Sequence, residues 1–223
     1  ATAAALGIAG TRELVLNEGS DAVPARLATL PRLMVGGLTF HNLRVAVADM
    51  PAARRIGARF GGILGLDVLS HHDVVIDLAR RRFTFHPAGY AARSEAARAM
   101  QRLPFHRSRY GLISLAVRLE GFPEMLGVLD LGAQWSVLNP AAARMVSDYT
   151  PNSVVTPPVQ PRRYVRLELA GLALDHHGFQ VEDLGVFHRL RLDKRPAILL
   201  GADLFAGRAI VLAYQDRAVY VSR

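Results

Sequence analysis

The chain contains an internal repeat. Residues 61–87 and 197–223 present the same features in the same order: a short apolar run, a glycine, an aspartate two positions later, and two apolar segments separated by a charged turn. Gly65 thereby corresponds to Gly201, 136 positions further along, and Asp67 corresponds to Asp203. A chain of 223 residues that repeats in this way is built from two copies of one folding unit.

Both copies have the sequence pattern of β-structure. Apolar residues alternate with polar ones, and Val, Ile, Leu and Phe dominate the apolar positions. Strands are expected at 12–16, 27–35, 38–48, 73–78, 82–86, 112–119, 125–130, 135–138, 164–169, 172–182, 208–213 and 218–222. The sequence therefore predicts an all-β fold with a few short helices.

Three of the helices are expected directly after Gly65, Asn139 and Gly201. Asn139 precedes Pro140, and Asn is a favoured N-cap while Pro is favoured at the first helical position. The Ala- and Arg-rich stretch 88–104 indicates a solvated helix or a linker that ends at its final proline. The Pro-rich stretch 150–163 indicates an extended loop.

Composition excludes several kinds of chemistry. The chain has no cysteine, which excludes disulfides, thiolate nucleophiles and zinc sites built on thiolates. Its net charge of +8 comes from scattered arginines without an aromatic-interleaved basic stripe, so a nucleic-acid partner is not expected. No apolar run is long enough to cross a bilayer. Adjacent histidines at 71–72 and 176–177 would point to opposite faces of a strand, so we expect no metal and no cofactor.

One apolar segment carries an acidic residue to a glycine turn. Asp130 ends the run, Leu131, Gly132 and Ala133 follow, and a second apolar segment resumes at Trp135. An ordinary turn between two strands is one interpretation. The other is a reactive carboxylate on a tight loop, in which Gly132 lets the backbone turn closely and leaves room for a substrate. The repeat and the loop context together favour the second interpretation.

These residues resemble a known family. The loop from Asp130 to Ala133 is similar to the Asp-Thr-Gly-Ala loop of retropepsin-like aspartic proteases. The segments 63–65 and 199–201 are similar to the apolar-apolar-Gly motif that packs behind that loop. The resemblance covers almost the whole chain and extends to bacterial members. It implies a two-lobed acid-protease fold made of tandem retropepsin-like repeats in a pepsin-like arrangement.

The resemblance also implies a division of the chain. Residues 1–87 would form a first lobe that is N-terminally incomplete, and 88–110 an interlobe linker or helix. Residues 111–223 would form the second lobe, which carries the Asp-Leu-Gly-Ala loop. A monomer with two lobes is favoured over a dimer, and family analogy suggests a periplasmic or secreted location.

The implied function is that of an aspartic endopeptidase, which binds a peptide or protein substrate. Two carboxylates share one proton and activate a water molecule, which needs no metal, thiol or cofactor. Asp130 would be the second-lobe catalytic carboxylate, supported by Leu131, Gly132 and Ala133. Its partner is expected upstream of residue 1. Two chains that each lend Asp130, or an inactive relative, are the alternatives.

Two further features bear on this function. The small residues Ala9, Gly10 and Thr11 fit either a substrate-covering flap or an ordinary hairpin turn. Leu131 stands where family loops have a threonine whose hydroxyl bonds across the lobe interface. This replacement favours the alternative function, a catalytically inactive aspartic-protease-like module that binds a peptide or a protein.

Overall fold

The computed structural model describes residues 2–18, 21–49, 61–108, 110–146, 165–176 and 178–223. The chain forms two compact units, Ala1–Gly65 and Leu66–Arg223. Both units are mostly β-sheet with a few short helices, which confirms the predicted fold class. None of the helices in the described ranges has the length and apolar character needed to cross a membrane.

The first unit is an antiparallel three-stranded sheet preceded by a short helix. Its elements are α1 (Thr2–Ala5), β1 (Arg12–Glu18), β2 (Asp21–Val35) and β3 (Leu38–Ala48). A turn at Gly36 and Gly37 joins β2 to β3, and both glycines have positive φ, which glycine adopts without steric cost. Ala25 and Ala28 are the buried apolar residues of this sheet in the described ranges.

The second unit contains most of the elements. In chain order they are α2 (Leu66–Leu69), β4 (His72–Asp77), β5 (Arg82–Pro87), α3 (Tyr90–Arg93), α4 (Glu95–Arg98), β6 (Gln101–Pro104), β7 (His106–Arg107), β8 (Ile113–Leu119), β9 (Met125–Leu129), β10 (Val137–Leu138), α5 (Pro140–Val146), β11 (Val165–Leu169), β12 (Leu172–His176), β13 (Gln180–Val181), α6 (Gly185–Arg189), β14 (Ala197–Leu200), a 3-10 turn (Ala202–Phe205), β15 (Ala209–Ala213) and β16 (Ala218–Val221).

The larger sheet of this unit is a curled half-barrel with the strand order β12-β11-β8-β9-β14-β10-β13, and β7 pairs with β8. Strand β14 lies in its middle, parallel to β9 on one side and antiparallel to β10 on the other. The buried apolar side chains of β8, β9, β11 and β14 form the main core. Because β9 and β10 flank the Asp130 loop in sequence, β14 crosses directly behind that loop.

In the smaller sheet, the two copies of the internal repeat are related by local symmetry. Its order is β5-β4-β15-β16-β6, and β4 pairs antiparallel with β15. The central pair of this ladder is Val75 with Val211, which are also equivalent residues of the two repeats. A local two-fold relation between the copies therefore passes through this strand pair, and the counterparts β4 and β15 contact each other around it.

Several element boundaries differ from those predicted. Strand β2 begins at Asp21 rather than at 27, because its ladder with β1 continues through Pro24. The expected strand 172–182 is interrupted at Gly178, whose φ is 106°. The element after Gly201 is a 3-10 turn rather than an α-helix. The expected loop 150–163 lies outside the described residues.

The stretch 88–104 is neither one helix nor a linker. It forms the two four-residue helices α3 and α4, separated at Ser94, whose backbone is extended and whose side chain caps α4. The chain then enters β6, which pairs with β16. The boundary between the compact units falls at Gly65, because β4 and β5 belong to the same sheet as β15. The predicted division into two lobes, with boundaries at 87 and 110, stays a prediction.

Candidate functional site

Asp130 lies on a tight loop directly after β9. Its amide donates a hydrogen bond to the Leu200 carbonyl at 3.0 Å, which ties the start of the loop to β14. Its Oδ1 accepts the amide of Gly132 at 3.0 Å, and its carbonyl accepts the amide of Ala133 at 3.1 Å. Asp130 is solvent-exposed, while β9 before it is largely buried. A rigid strand thus delivers an exposed carboxylate whose orientation the loop backbone holds.

The glycine motif packs against the back of this loop. A Cβ atom on Gly201 would lie 2.6 Å from the carbonyl carbon of Trp135 and 2.9 Å from the amide nitrogen of Ser136. These are backbone atoms, so only a residue without a side chain allows this approach. The amide of Ala202 also donates to the carbonyl of Ala133 at 2.9 Å. The predicted packing of Leu199, Leu200 and Gly201 behind the loop is therefore observed.

A buried serine and an aspartate connect the loop to the glycine motif. Ser136 Oγ donates to Asp203 Oδ1 at 2.7 Å and accepts the amide of Gly201 at 2.9 Å. Asp203 Oδ2 accepts the amide of Ser136 at 2.9 Å, and its Oδ1 also accepts the amide of Leu204. The sequence showed Asp203 as the repeat counterpart of Asp67, but it did not single out Ser136. A hydroxyl six positions after Asp130, before two apolar residues, was the available signal.

We expect Ser136→Ala to lower the free energy of unfolding by about 2 kcal/mol, since it removes a charge-assisted hydrogen bond and leaves the buried amide of Gly201 unpaired. Urea unfolding followed by circular dichroism measures the change. Ser94→Ala is the matched control, because Ser94 caps a short helix at a partly exposed position and its loss should cost about 1 kcal/mol or less. Equal losses in the two variants would contradict a special role for Ser136.

Asn139 is fully buried and makes four hydrogen bonds. Its Nδ2 donates to the carbonyls of Leu192 and Arg195, both at 2.7 Å. Its Oδ1 accepts the amides of Ala142 at 2.8 Å and Ala197 at 3.1 Å. The bond to Ala142 is the predicted N-cap of α5. The other three bonds were not predicted, and they fasten the start of β14 to the chain that follows the Asp130 loop.

The remaining loop residues divide into apolar supports and one exposed aromatic. Leu131 is half-buried and packs against the main core, and Ala133 packs against the cluster around Phe187. Leu131 therefore supplies apolar contact at the position where a hydroxyl was expected in the resembling family. Trp135 is 52% exposed, although it is flanked by buried Ser136. An exposed indole close in sequence to Asp130 offers an apolar surface to a ligand.

The predicted flap residues lie in the first unit. The amide of Thr11 donates to the carbonyl of Leu27, and Gly10 packs so closely on Arg26 that a Cβ there would lie 2.2 Å from the Arg26 Cβ. These residues thus run alongside β2 and do not form the tip of a hairpin. Ala9 and Gly10 also line an open groove of about 940 Å³ within the first unit. That Ala9, Gly10 and Thr11 cover a substrate stays a prediction.

Metal coordination finds no support in the described part of the chain. No group of three or more His, Asp or Glu side chains in that part could hold a metal ion. The candidate site of the second unit consists of the exposed carboxylate of Asp130, a glycine turn, the neighbouring indole of Trp135, and a buried network that fixes their backbone.

Comparisons with known proteins show what the fold of this chain is similar to. No family model matches the chain, and no curated protein matches it. Conglutin gamma, a basic 7S globulin from lupine seeds, aligns with a TM-score of 0.56 and 12% sequence identity, over 94% of this chain and 72% of that one. Basic 7S globulin from soybean aligns over 90% of this chain and 66% of that one, with a TM-score of 0.46 and 13% identity.

The resemblance to bacterial retropepsin-like proteases is therefore corrected. Conglutin gamma, which aligns with this chain, is described as a basic 7S globulin and not as a protease of that family. At 12% identity the likeness to conglutin gamma shows a shared fold, a β-rich architecture with a half-barrel, and nothing about activity. These comparisons do not support a protease activity, a bacterial origin or a secreted location. The four-residue motif around Asp130 was too short to identify a family.

Proposed function

We propose that this protein hydrolyses peptide bonds through a pair of carboxylates, of which Asp130 is one. The observation that supports the proposal is an exposed carboxylate at the end of a buried strand, with Oδ1 held by the amide of Gly132. Turn aspartates commonly bond a nearby amide. Here, however, the loop is also fastened by Leu200, by the close approach of Gly201, and by the Ser136–Asp203 pair. A simple turn does not require so much buried support.

The proposed reaction assigns a separate role to each residue of the Asp130 loop. Asp130 accepts a proton from a water molecule or holds the proton that it shares with a second carboxylate. Gly132 keeps the carboxylate oriented and leaves space above it. Trp135 offers its exposed indole to an apolar side chain of the peptide. Asp130 is the member of the carboxylate pair that this loop supplies.

A second candidate function is supported by two side chains of the same loop. Leu131 packs its apolar side chain against the main core next to Asp130, and Trp135 provides an exposed binding surface that needs no chemistry. In this case the protein is a non-catalytic module that binds a peptide or a protein. A periplasmic or secreted location stays a prediction under either function.

Cleavage of a peptide library at acidic pH separates the two candidates. We expect the full-length polypeptide to cleave and Asp130→Asn to lower the rate at least about 100-fold, because the amide cannot exchange the proton that the reaction needs. Asn keeps an oxygen that can accept the Gly132 amide, so the loop should remain folded. Mass spectrometry of the products gives the rate.

Glu124→Gln is the matched control, because Glu124 is an exposed carboxylate close in sequence that bridges only to Arg118 among the described residues. Its cleavage rate should equal that of the unaltered protein. If the unaltered protein binds peptides without cleaving them, the binding module is the correct function. If cleavage survives Asp130→Asn, the proposed role of Asp130 is wrong.

A further inference from the structure

Strand β5 forms one edge of the smaller sheet. It pairs with β4 along its whole length, from Arg82 with Asp77 to Pro87 with His72. Within the ranges that the structure describes, no strand pairs with its other edge. An edge strand directs alternate backbone donors and acceptors outward, where they can pair with an added strand. Since Pro87 has no amide hydrogen, the donors that remain lie before it.

The second copy of the repeat shows how a strand covers such an edge. Strand β16 is the counterpart of β5, 136 positions further along, and β6 pairs antiparallel with it. Val219 of β16 is paired with Leu103 of β6, and these two residues are 0% and 1% exposed. Phe83 is the counterpart of Val219, and it is 50% exposed. The open edge of β5 therefore carries an apolar side chain whose counterpart is buried beside β6.

The turn that leads into β5 concentrates positive charge. Asp77 accepts the backbone amide of Arg80 and its guanidinium, both at 2.9 Å, and these bonds lower the pKa of the Asp77 carboxyl. The charge of Asp77 is thus matched by Arg80. Arg81 and Arg82 are exposed and form no ion pair with any described residue. Two guanidinium groups directly before the open edge are therefore available to an anionic partner.

We propose that the outer edge of β5 binds an acidic peptide segment of another protein as an additional antiparallel strand. The outward backbone groups, the exposed ring of Phe83 and the basic turn supply the backbone, apolar and ionic contacts of such strand addition. A second copy of this chain is disfavoured as the occupant, because each copy has a net charge of +8. The surface uses no residue of the Asp130 loop, so it does not rest on the proposed function.

The pairing of β6 with β16 also predicts the pattern of the bound peptide. Transferred to β5, this register places successive peptide residues opposite Phe85, Thr84, Phe83 and Arg82. Residues opposite the two phenylalanines share a face with them and are expected to be apolar. Residues opposite Arg82 and beyond it lie along the basic turn and are expected to be acidic. The pattern is an apolar residue, any residue, an apolar residue, and then acidic residues.

A synthetic peptide of this pattern tests the surface. The probe is dye-labelled Gly-Val-Thr-Leu-Glu-Asp-Glu-Gly, titrated into the 223-residue protein and followed by fluorescence anisotropy. We expect saturable binding that weakens as salt is added, and slower amide exchange at residues 83–86 in the complex. The same peptide with Gln and Asn in place of its acidic residues should bind at least about 10-fold more weakly, because it loses its ionic contacts with the turn.

Arg81→Glu should also weaken binding at least about 10-fold, because it reverses a charge at the start of the open edge. Arg217→Glu is the matched control. Arg217 is the counterpart of Arg81, is likewise exposed, and has a similar positive φ of 47° compared with 51°. Its turn joins β15 to β16, whose outer edge β6 already covers. This variant changes the net charge by the same amount and should leave the affinity nearly unchanged.

Several results would overturn the proposal. They are the absence of saturable binding, equal affinity for the acidic peptide and its amide version, and equal losses in Arg81→Glu and Arg217→Glu. Protection of residues 83–86 that rises with protein concentration, without peptide, would make a second copy of the chain the occupant instead. If a single-stranded oligonucleotide protects these amides and the peptide does not, the partner is a nucleic acid and the acidic peptide is wrong.

Discussion

Asn139→Ala is expected to lower the free energy of unfolding by about 4 kcal/mol. The substitution removes four hydrogen bonds made by a fully buried side chain. The carbonyls of Leu192 and Arg195 each lose the Asn139 donor, although the Leu192 carbonyl still accepts the amide of Arg195, and the amides of Ala142 and Ala197 lose their acceptor. Each unsatisfied buried group costs roughly 1–3 kcal/mol, and partial relaxation keeps the sum below full additivity.

Chemical denaturation of the unaltered protein and of Asn139→Ala measures this difference in the free energy of unfolding. Ser94→Ala serves as the control for the helix-capping part alone, since Ser94 accepts the amide of Ala97 and makes no long-range bond among those described. It should cost about 1 kcal/mol or less. A loss for Asn139→Ala no larger than that of the control would mean that the bonds to Leu192, Arg195 and Ala197 add nothing to stability.

Gly201→Ala is expected to cost about 3 kcal/mol. The added Cβ would lie 2.6 Å and 2.7 Å from the carbonyl carbon and oxygen of Trp135, and backbone atoms cannot move aside as the end of a side chain can. The loop and β14 would have to separate, which strains the hydrogen bond from the Gly201 amide to Ser136 Oγ. The same separation shifts Asp130, so any cleavage activity should fall with stability.

The matched control is Gly61→Ala. Gly61 is the counterpart of Ala197 in the first copy, and no atom lies within 4 Å of the place where the added methyl group would sit. Thermal unfolding should therefore show a change of no more than about 0.5 kcal/mol for this variant. If Gly201→Ala is as stable as Gly61→Ala, the close approach of β14 to the loop does not contribute to stability.

The fold class could be predicted because its signals are local and repeated. Runs of Val, Ile, Leu and Phe in β4, β5, β15 and β16 indicated strands, and their recurrence 136 positions apart indicated two copies. The pair Asn139-Pro140 predicted the start of α5 from capping preferences alone. These signals depend on neighbours in sequence, so no knowledge of the tertiary structure was required.

The site was predictable only in part. The position of Asp130 before a glycine turn was visible in the sequence, and so was the glycine motif that packs behind it. The hydrogen bonds that fix the loop could not be seen in the sequence. Ser136 and Asp203 are 67 positions apart and meet only when β14 crosses behind the loop. The exposure of Trp135 was missed for a similar reason. An aromatic at the start of an apolar segment suggests a core position, whereas the pairing of Ser136 with Asp203 leaves the indole outside.

The strand pairing between the two copies was not predicted from the sequence. Strands β4 and β5 of the first copy share a sheet with β15 and β16 of the second. Sequence similarity cannot show which strands of two copies pair with each other. The family was misjudged for a related reason, since a short loop motif and an apolar pattern are compatible with more than one family that has a β-rich fold.

The symmetric ladder between Val75 and Val211 limits how the two halves of the gene could diverge. Side chains alternate between the two faces of a strand, so inserting or deleting one residue within β4 or β15 would turn every apolar side chain beyond that point to the opposite face. Substitutions in these strands can accumulate one at a time, but changes of length cannot. Loops elsewhere were free to lengthen in one half without a matching change in the other.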